Sequence, residues 1–354
     1  MVAALDVVGN PSSVHAEGRQ ARALIETARD QVAALVGAEA RDVYFTSGAS
    51  EANSWVLRSG FDTVLRAGSE HDSVLSAAAA GGARIVELPV ARNGVVAIAA
   101  IADEALCGTA TLGRALVALQ FANNETGVIQ PVAEVVEFAH GHRLLVLCDA
   151  VQAAGRIAID VRALGADYVT LSGHKLGGPK GVGALIARPG AALSPLILGG
   201  GQERRQRAGT ENVAAIAGFG AAAVAAMRDL DASGIHMHTL RARLEADLLA
   251  GTPGMVIVGA DARRLPNTTC AALPGRLAEV LVAGLDLAGV AVSAGAACSS
   301  GKVGRSRVLE AMGCDGPVAA GAVRVSLGPD TTQEDIAAFL AAWHAMTAQS
   351  RVAA

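Results

Sequence analysis

Apolar and polar residues alternate in two different rhythms along most of this sequence. From Val14 to Val36 the apolar residues recur at helical spacing, so this stretch predicts a helix that ends at Gly37. Shorter apolar runs rich in β-branched residues predict strands. The predicted strands cover residues 43–46, 84–88, 116–120, 144–148, 167–171 and 182–187. This order of elements predicts an α/β fold whose mainly parallel sheet has its ligand crevice along one edge.

The rhythm of the pattern changes after Met227, where Asp231-Ala232-Ser233-Gly234 marks a domain boundary. At 354 residues the chain is long enough for two domains. We therefore expect a large ligand-binding domain over residues 10–232 and a smaller C-terminal α+β domain over residues 233–354, which also includes residues 1–9.

Composition and charge argue against two classes of partner. A formal net charge of −4, an aromatic content of 3% and the lack of a basic block give no footprint for nucleic acid. The longest uncharged run, Val213 to Met227, is interrupted by glycine and falls short of the roughly 20 residues that span a bilayer, so we expect no membrane partner. The cysteines are odd in number and lack metal-ligand spacing, which favours free thiols in a reducing cytoplasm. They are Cys107, Cys148, Cys270, Cys298 and Cys314.

A lysine and an aspartate each follow a predicted strand. Lys175 lies in Ser172-Gly173-His174-Lys175, where burial would lower the pKa of its ammonium and make the amine available for a Schiff base. Asp149 ends the preceding strand. A carboxylate that keeps a pyridinium nitrogen protonated and a lysine that forms a Schiff base are the minimum equipment for pyridoxal phosphate chemistry. The alternative for this pair is an aspartate that caps a helix and a lysine at the surface.

Three polar loops provide further candidates. Residues 47–53 follow a strand and lead into a helix whose free amides would bind an anion such as phosphate, unless the loop simply connects two elements. His71 precedes another helix and is either catalytic or a cap. The stretch from Gly199 to Asn212 combines glycines with arginines, which suits an anion as well as it suits an exposed charged loop.

Two residues in the last quarter of the sequence are chemically unusual. Cys298 is surrounded by Gly, Ala and Ser, so we expect a reactive thiol on an accessible loop, helped by Lys302, rather than a small buried side chain. Arg324 lies inside the apolar run 323–327. A buried guanidinium is costly, so Arg324 either pairs with an internal acid or binds the carboxylate of a ligand.

Eight motifs, taken together and in this order, resemble those of the cysteine desulfurases. That family has the aspartate aminotransferase fold, fold type I of the pyridoxal phosphate enzymes, with a large cofactor domain. The separation of Cys298 from Arg324 is similar to that in the branch with an extended cysteine loop, which supplies sulfur for iron–sulfur clusters and thiolated tRNA. The motifs are residues 9–15, 46–51, 70–71, 123–127, 149–152, 172–175, 207–210 and the loop of Cys298.

The resemblance implies a role for each residue around the cofactor ring. Lys175 would form the Schiff base and then move the Cα proton of the substrate. Asp149 would pair with the pyridine nitrogen, Gln152 would bond the ring hydroxyl, and His71 would stack on the ring and assist catalysis.

The resemblance also implies how the phosphate and the substrate are held. The phosphate would be bound by the amides of Ala49 and Ser50, by Ser172 and His174, and by Thr210 from the other subunit of a homodimer. Asn124, which also adjoins the cofactor, and Arg324 would hold the substrate carboxylate. Cys298 would be the nucleophile that receives the sulfur.

The implied reaction converts L-cysteine to L-alanine and leaves the sulfur as a persulfide on Cys298, for delivery to an iron–sulfur scaffold or another sulfur-acceptor protein. One alternative is another pyridoxal phosphate enzyme of this fold, such as a selenocysteine lyase or an aminotransferase. A second alternative is a non-catalytic partner protein. It is suggested by the N-terminal strand and Ala-Thr-Thr turn usual in the family, which have no counterpart before Val2.

Overall fold

The protein is described here from a computed structural model over residues 1–99, 112–295 and 306–349. It divides into two compact units. The large unit contains Met1–Leu88, Ile98–Phe121 and Pro131–Leu230, and the small unit contains Pro89–Ala97, Ala122–Gln130 and the chain from Asp231 onward.

These units differ from the predicted domains in two places. Residues 1–9 belong to the large unit and not to the small one, because the first helix packs there and Met1 lies against Gly218. The segments 89–97 and 122–130 lie in the small unit, although both fall within the predicted large domain. The second of these pairs with the small unit through a bridge between Val128 and Arg264.

The large unit is built on a seven-stranded sheet. Its strand order is β1-β7-β6-β5-β4-β2-β3, in which β2 to β6 run parallel and β7 is antiparallel to β1 and β6. The predicted mainly parallel α/β sheet is therefore confirmed. Sequence reasoning omitted β2, whose apolar run contains Arg66. The strands are β1 Val43–Thr46, β2 Thr63–Ala67, β3 Arg84–Leu88, β4 Ala115–Gln120, β5 Leu145–Asp149, β6 Tyr168–Ser172 and β7 Gly183–Ala187.

Helices surround this sheet because its central strands are apolar on both faces. Every residue of β4 and β6 is buried. The helices of this unit are α1 Val2–Leu5, α2 Ala16–Leu35, α3 Ala49–Leu57, α4 Asp72–Ala80, α5 Val132–Gly141, α6 Val161–Leu164 and α7 Val213–Arg228. Single 3₁₀ turns lie at Ala40–Asp42 and Gly173–Leu176, and a turn with positive φ lies within Gln202–Arg205.

The small unit has its own antiparallel sheet and its own core. The strand order is β10-β11-β9-β8, and Trp343 is fully buried against it, with its indole N–H donating to Thr252 Oγ1 at 3.0 Å. Its strands are β8 Val256–Ile257, β9 Thr268–Ala272, β10 Ser293–Ala294 and β11 Ala322–Ser326. Its helices are α8 Leu230–Gly251, α9 Ala278–Leu287, α10 Arg307–Ala311, α11 Gly316–Ala320 and α12 Gln333–Gln349.

Among the described helices, none is by itself long and apolar enough to cross a bilayer. The consecutive helices α7 and α8 are long and apolar enough only when they are taken together, and the chain bends by 71° between them.

Candidate active site

Polar side chains meet where three neighbouring strands of the large sheet end. The last residue of β4, Gln120, lies opposite Asp149 of β5, and Asp149 lies opposite Thr170 of β6. Because these strands are parallel, their carboxyl ends share one edge of the sheet, which is where α/β proteins bind ligands. Asp149 and Ser172 therefore end adjacent strands at the predicted crevice.

Asp149 is a buried carboxylate with both oxygens bonded. Its Oδ2 accepts from Asn53 Nδ2 at 2.9 Å and its Oδ1 accepts from the backbone N–H of Val151 at 3.1 Å. Burial is the largest effect and holds the pKa of Asp149 above its ordinary value, and the two hydrogen bonds together with His71 and Lys175 only partly oppose it. The carboxylate is thus fixed in orientation and surrounded by groups that favour its charged form.

Asn53 connects Asp149 to His71. Its Oδ1 accepts from Thr170 Oγ1 at 2.9 Å, and its Nδ2 also donates to Ser73 Oγ at 3.0 Å. Ser73 Oγ lies 2.8 Å from His71 Nδ1, which also accepts from the Ser73 backbone N–H at 3.1 Å. These two contacts from Ser73 fix the orientation of the His71 ring.

His71 therefore serves as a helix cap, one of the two roles open to it from the sequence. It is the N-cap of α4, and its field reaches Asp149. A cap held by its own helix has a fixed ring orientation, so capping and stacking on a cofactor ring are compatible roles for one histidine.

Lys175 lies in the 3₁₀ turn that follows β6. The turn ends at Gly177, whose φ of 80° requires glycine. Lys175 is half-buried, not buried as the sequence suggested, because the turn lies at the end of the strand rather than inside the sheet. Beside it, Ser172 Oγ lies 2.9 Å from His174 Nδ1. Partial burial lowers the pKa of the His174 imidazole, and the nearby charges of Lys175 and Lys180 lower it further.

The candidate phosphate loop lies between β1 and α3. Its N-cap is Gly48, and the first intrahelical bond runs from the Ala52 N–H to the Gly48 carbonyl at 3.2 Å, so the amides before Ala52 have no carbonyl partner within the helix. Ala49 is half-buried and Ser50 is exposed at this end. A Cβ on Gly183 would lie 2.7 Å from Gly48 backbone atoms, so the backbone of β7 packs directly on the loop.

The segment before Thr210 is held in place by an ion pair between its residue Glu203 and the buried guanidinium of Arg29. Arg29 donates two hydrogen bonds of 2.9 Å to the carboxylate of Glu203, which also accepts the Phe45 N–H at 3.0 Å. Glu203 begins a run of three non-glycine residues with positive φ, of 42°, 55° and 64°. Such a left-handed turn is strained, and it persists here because the buried ion pair holds its first residue.

Two predicted cofactor residues are outside these networks. Gln152 is half-buried and Thr210 is exposed. Among the described hydrogen bonds of the large unit, none joins either side chain to Asp149, and the Gln152 carbonyl accepts from Arg156 Nη1 at 2.9 Å. Their implied contacts to the cofactor and to a second subunit stay predictions.

In the small unit, Arg324 projects from β11 opposite Ser293 of β10. Its Nη1 donates to the backbone carbonyl of Asn124 at 2.9 Å and its Nη2 donates to Ser293 Oγ at 3.1 Å, while its buried Nε has no hydrogen-bond partner. No acidic side chain among the described residues forms an ion pair with Arg324. The sequence left two options for Arg324, an internal ion pair or binding of a ligand carboxylate. This geometry favours the second.

Gly295 and Ser306, the described residues that flank the predicted cysteine loop, both lie next to the carboxylate of Glu125. Ser306 Oγ donates to Glu125 Oε2 at 2.6 Å, and a Cβ on Gly295 would lie 3.0 Å from that same oxygen. Residues 296–305 lie outside the described residues, and the predicted nucleophile Cys298 is among them. Cys148 is buried, and burial together with Asp149 and Glu70 raises the pKa of its thiol well above the usual range.

Two residues of the large-unit site lie in motifs that the sequence analysis identified, but they were given no role there. Asn53 is fully buried in α3, and a polar residue on an otherwise apolar helix face was the available signal. Glu70 is also buried, and neither carboxyl oxygen makes a hydrogen bond of normal geometry. Burial is the largest effect and raises the pKa of Glu70 well above its ordinary value; the Gln120 backbone opposes it, Asp149 adds to it, and Arg66 has a smaller lowering effect. Glu70 is therefore a buried carboxyl near Asp149 whose surroundings favour its protonated form.

The residues at this edge fit pyridoxal phosphate. A buried carboxylate is held for a ring nitrogen, a lysine lies close enough to influence the pKa of that carboxylate, and unbonded helix amides are placed for a phosphate.

Comparisons with known proteins bear on the reaction. The family described as aminotransferase class-V matches residues 4–339. A cysteine desulfurase of Sinorhizobium fredii is 39% identical over 342 residues, which cover 94% of this chain and 87% of that protein. The cysteine desulfurase NifS of Azotobacter vinelandii is 38% identical over 338 residues, which cover 93% and 83%. The X-ray structure of a NifS-like protein from Rickettsia africae superposes with a TM-score of 0.91 at 35% identity, covering 98% of this chain and 94% of that one.

Proposed function

The chain belongs to the class-V aminotransferase family and, within it, to the cysteine desulfurases, and we propose that it takes sulfur from L-cysteine and releases L-alanine. Like other members of this family, it depends on pyridoxal phosphate. The observation that carries the proposal is the buried Asp149 carboxylate, fixed by Asn53 and in the field of Lys175. None of the relatives reported above is named as a selenocysteine lyase, an aminotransferase or a non-catalytic partner.

When bound, pyridoxal phosphate supplies an aldehyde that condenses with amines and a ring that withdraws electrons from the substrate Cα. Asp149 keeps the ring nitrogen protonated, because Asn53 and Val151 hold its carboxylate in one orientation. Lys175 holds the cofactor and then moves the Cα proton. His71, whose ring orientation is fixed by Ser73, presents that ring to the cofactor.

The sulfur step follows from thiol chemistry. The Cys298 thiolate attacks the sulfur of L-cysteine, a sulfur–sulfur bond forms, and the carbon–sulfur bond breaks with its electron pair left on the substrate carbon. Protons taken up at that carbon and at Cα complete L-alanine, and Cys298 retains the sulfur as a persulfide. Arg324 holds the substrate carboxylate through its free Nε and its two terminal nitrogens.

The same proposal includes the partners. A homodimer, in which Thr210 completes the phosphate site of the other subunit, agrees with the exposure of Thr210. The acceptor of the sulfur would be an iron–sulfur scaffold or another sulfur-acceptor protein in the cytoplasm, where reduced thiols are maintained. The described cysteines Cys148, Cys270 and Cys314 are free thiols, in keeping with such a compartment.

The experiment that tests this function measures alanine released from L-cysteine, with mass spectrometry of the Cys298 peptide for one added sulfur. Cys298→Ser should bind the cofactor but release no alanine, because a serine hydroxyl is a poor nucleophile toward sulfur. Cys314→Ser, which alters a partly exposed thiol of the small unit, is the matched control and should keep the wild-type rate. Wild-type turnover in Cys298→Ser, or a persulfide on another cysteine, would contradict the proposal.

A further inference from the structure

A carboxylate lies where the proposed function requires room for a phosphate. Glu51 is in the first turn of α3, the helix whose terminal amides are proposed to bind the phosphate of the cofactor. Its side chain turns back over that end, and its Oε2 accepts the Ser47 N–H at 2.9 Å. An uncompensated carboxylate at this position would repel a dianionic phosphate and cancel much of the attraction of the amides.

Arg207 compensates for that charge. Its Nε donates to Glu51 Oε1 at 2.8 Å and its Nη2 lies 3.3 Å from Oε2. Both side chains are largely buried, with 23% and 18% exposed for Arg207 and Glu51. Burial raises the pKa of Glu51, but the hydrogen bonds from Arg207 and Ser47 outweigh it and hold that pKa below its ordinary value. Glu51 is therefore an anion that is neutralised by a two-pronged partner.

The position of Arg207 is fixed by its own segment. The Ala208 N–H donates to the Ile197 carbonyl at 3.0 Å and the Leu196 N–H donates to the Gln206 carbonyl at 2.8 Å, one on each side of Arg207. The left-handed turn held by Arg29 lies immediately before. The guanidinium thus comes from a rigid segment, so its contact with Glu51 orients the loop as well as balancing its charge.

We propose that Arg207 is a positioning residue for the cofactor phosphate: by pairing with Glu51 it removes the repulsion at the N-terminus of α3 and fixes the loop that binds the phosphate. This inference rests on the proposed function. Arg207 acts through Glu51, and the paired nitrogens are turned toward the carboxylate.

The test compares two ligands that differ only in the phosphate. The full chain, freed of cofactor, is titrated with pyridoxal phosphate and with pyridoxal. Arg207→Met should weaken binding of pyridoxal phosphate on the order of ten-fold, because it exposes the phosphate to one uncompensated charge at short range. Binding of pyridoxal should stay at the wild-type level, since Lys175 and Asp149 are unchanged.

A second substitution separates compensation from direct contact. In the Arg207→Met background, Glu51→Gln removes the repelling charge and should restore most of the lost affinity. Arg207→Lys keeps the positive charge but loses the two-pronged contact, so its affinity for pyridoxal phosphate should lie between those of wild type and Arg207→Met. This variant serves as the second test if Arg207→Met folds poorly. Arg162→Met, which breaks the exposed 2.7 Å pair with Glu39, is the matched control and should change neither ligand.

Each contrary result has a distinct meaning. Equal losses for pyridoxal phosphate and pyridoxal in Arg207→Met would show a general structural role and overturn the inference. Absence of rescue by Glu51→Gln would show that Arg207 contacts the phosphate itself and would overturn it as well. A wild-type chain that binds neither ligand would overturn the proposed function and this inference together.

Discussion

The polar clusters of the two units differ in how completely their buried atoms are paired. In the large unit, both oxygens of Asp149 accept hydrogen bonds and Asn53 bonds three partners. In the small unit, Arg324 donates from two nitrogens while its buried Nε has no partner. The Asp149 cluster has its hydrogen bonds within the folded chain, and the Arg324 cluster retains one donor without a partner.

The difference indicates which cluster is built for a resident group and which for a transient one. A buried donor without a partner costs about 1–3 kcal/mol, so it persists when a ligand supplies the missing acceptor. A substrate carboxylate has that chemistry. A fully bonded carboxylate is instead oriented in advance, which suits a cofactor that stays bound through many turnovers.

The largest effect is expected from Lys175, the cation next to the completed cluster. Lys175→Ala should lower alanine formation by about 10²–10⁴-fold, since it removes the group proposed to move the Cα proton. Borohydride reduction followed by peptide mapping should place the cofactor on Lys175 in the wild type and on no lysine in the variant. Lys180→Ala, a substitution of a nearby exposed lysine, is the control. A cofactor mapped to another lysine would show that the site lies elsewhere.

The unpaired donor of the small unit gives the next largest effect. Arg324→Gln should raise KM for L-cysteine roughly 10- to 100-fold, because hydrogen bonds to charged groups contribute about 1.5–3 kcal/mol. Ser293→Ala removes only one neutral partner of the guanidinium and should change KM far less. A KM in Arg324→Gln equal to that of the wild type would remove the distinction drawn between the two clusters.

Breaking the completed cluster should affect stability. Asn53→Ala leaves Asp149 Oδ2, Ser73 and Thr170 without a shared partner, so the free energy of unfolding should fall by about 1–3 kcal/mol. Urea unfolding measures it. Asn10→Ala, at an exposed turn where the amide accepts from the Ser12 N–H, is the matched control and should lose less. Equal losses in both variants would mean that the buried network adds nothing to an ordinary turn.

The smallest effect concerns Glu70, the exception to complete pairing in the large unit. Because burial raises its pKa, native Glu70 keeps a proton that the unfolded chain releases above about pH 4.3, so stability falls as pH rises toward the native pKa. Glu70→Gln lacks this titration. As pH rises through that range, the difference in free energy of unfolding between Glu70→Gln and wild type should increase in favour of the variant, by at most about 1.4 kcal/mol per pH unit.

Denaturant unfolding across a pH series measures this difference. Glu279→Gln, at an exposed position, should follow the wild-type profile. Parallel profiles for wild type and Glu70→Gln would show that Glu70 ionises normally.

Local sequence patterns predicted the strand ends but not what connects them. Asp149 and Lys175 follow strands whose apolar runs are continuous in sequence, so their place at one sheet edge could be deduced. Asn53 bonds Asp149 across 96 positions, and Arg207 bonds Glu51 across 156. No pattern within one element encodes such pairs, because they depend on how the strands are ordered in the sheet.

The burial of Lys175 was overestimated for a related reason. A strand that ends in a 3₁₀ turn carries the next residues out of the sheet, and a run of glycines does not reveal how far. The resemblance to a family supplied the roles of Gln152, Thr210 and Cys298, which the described contacts leave as predictions.

The ion pair between Arg29 and Glu203 has a consequence for synthesis of the chain. Its members are 174 positions apart, so at about 5–20 residues per second roughly 10–35 s pass between their addition to the nascent chain. Among the described strands, β1, next to the candidate phosphate loop, pairs with β7 alone, and β7 is also made late. The loop is therefore made well before β7 and Glu203, the two parts that hold the neighbouring strand and turn in place, and it reaches its final form only after both have been synthesised.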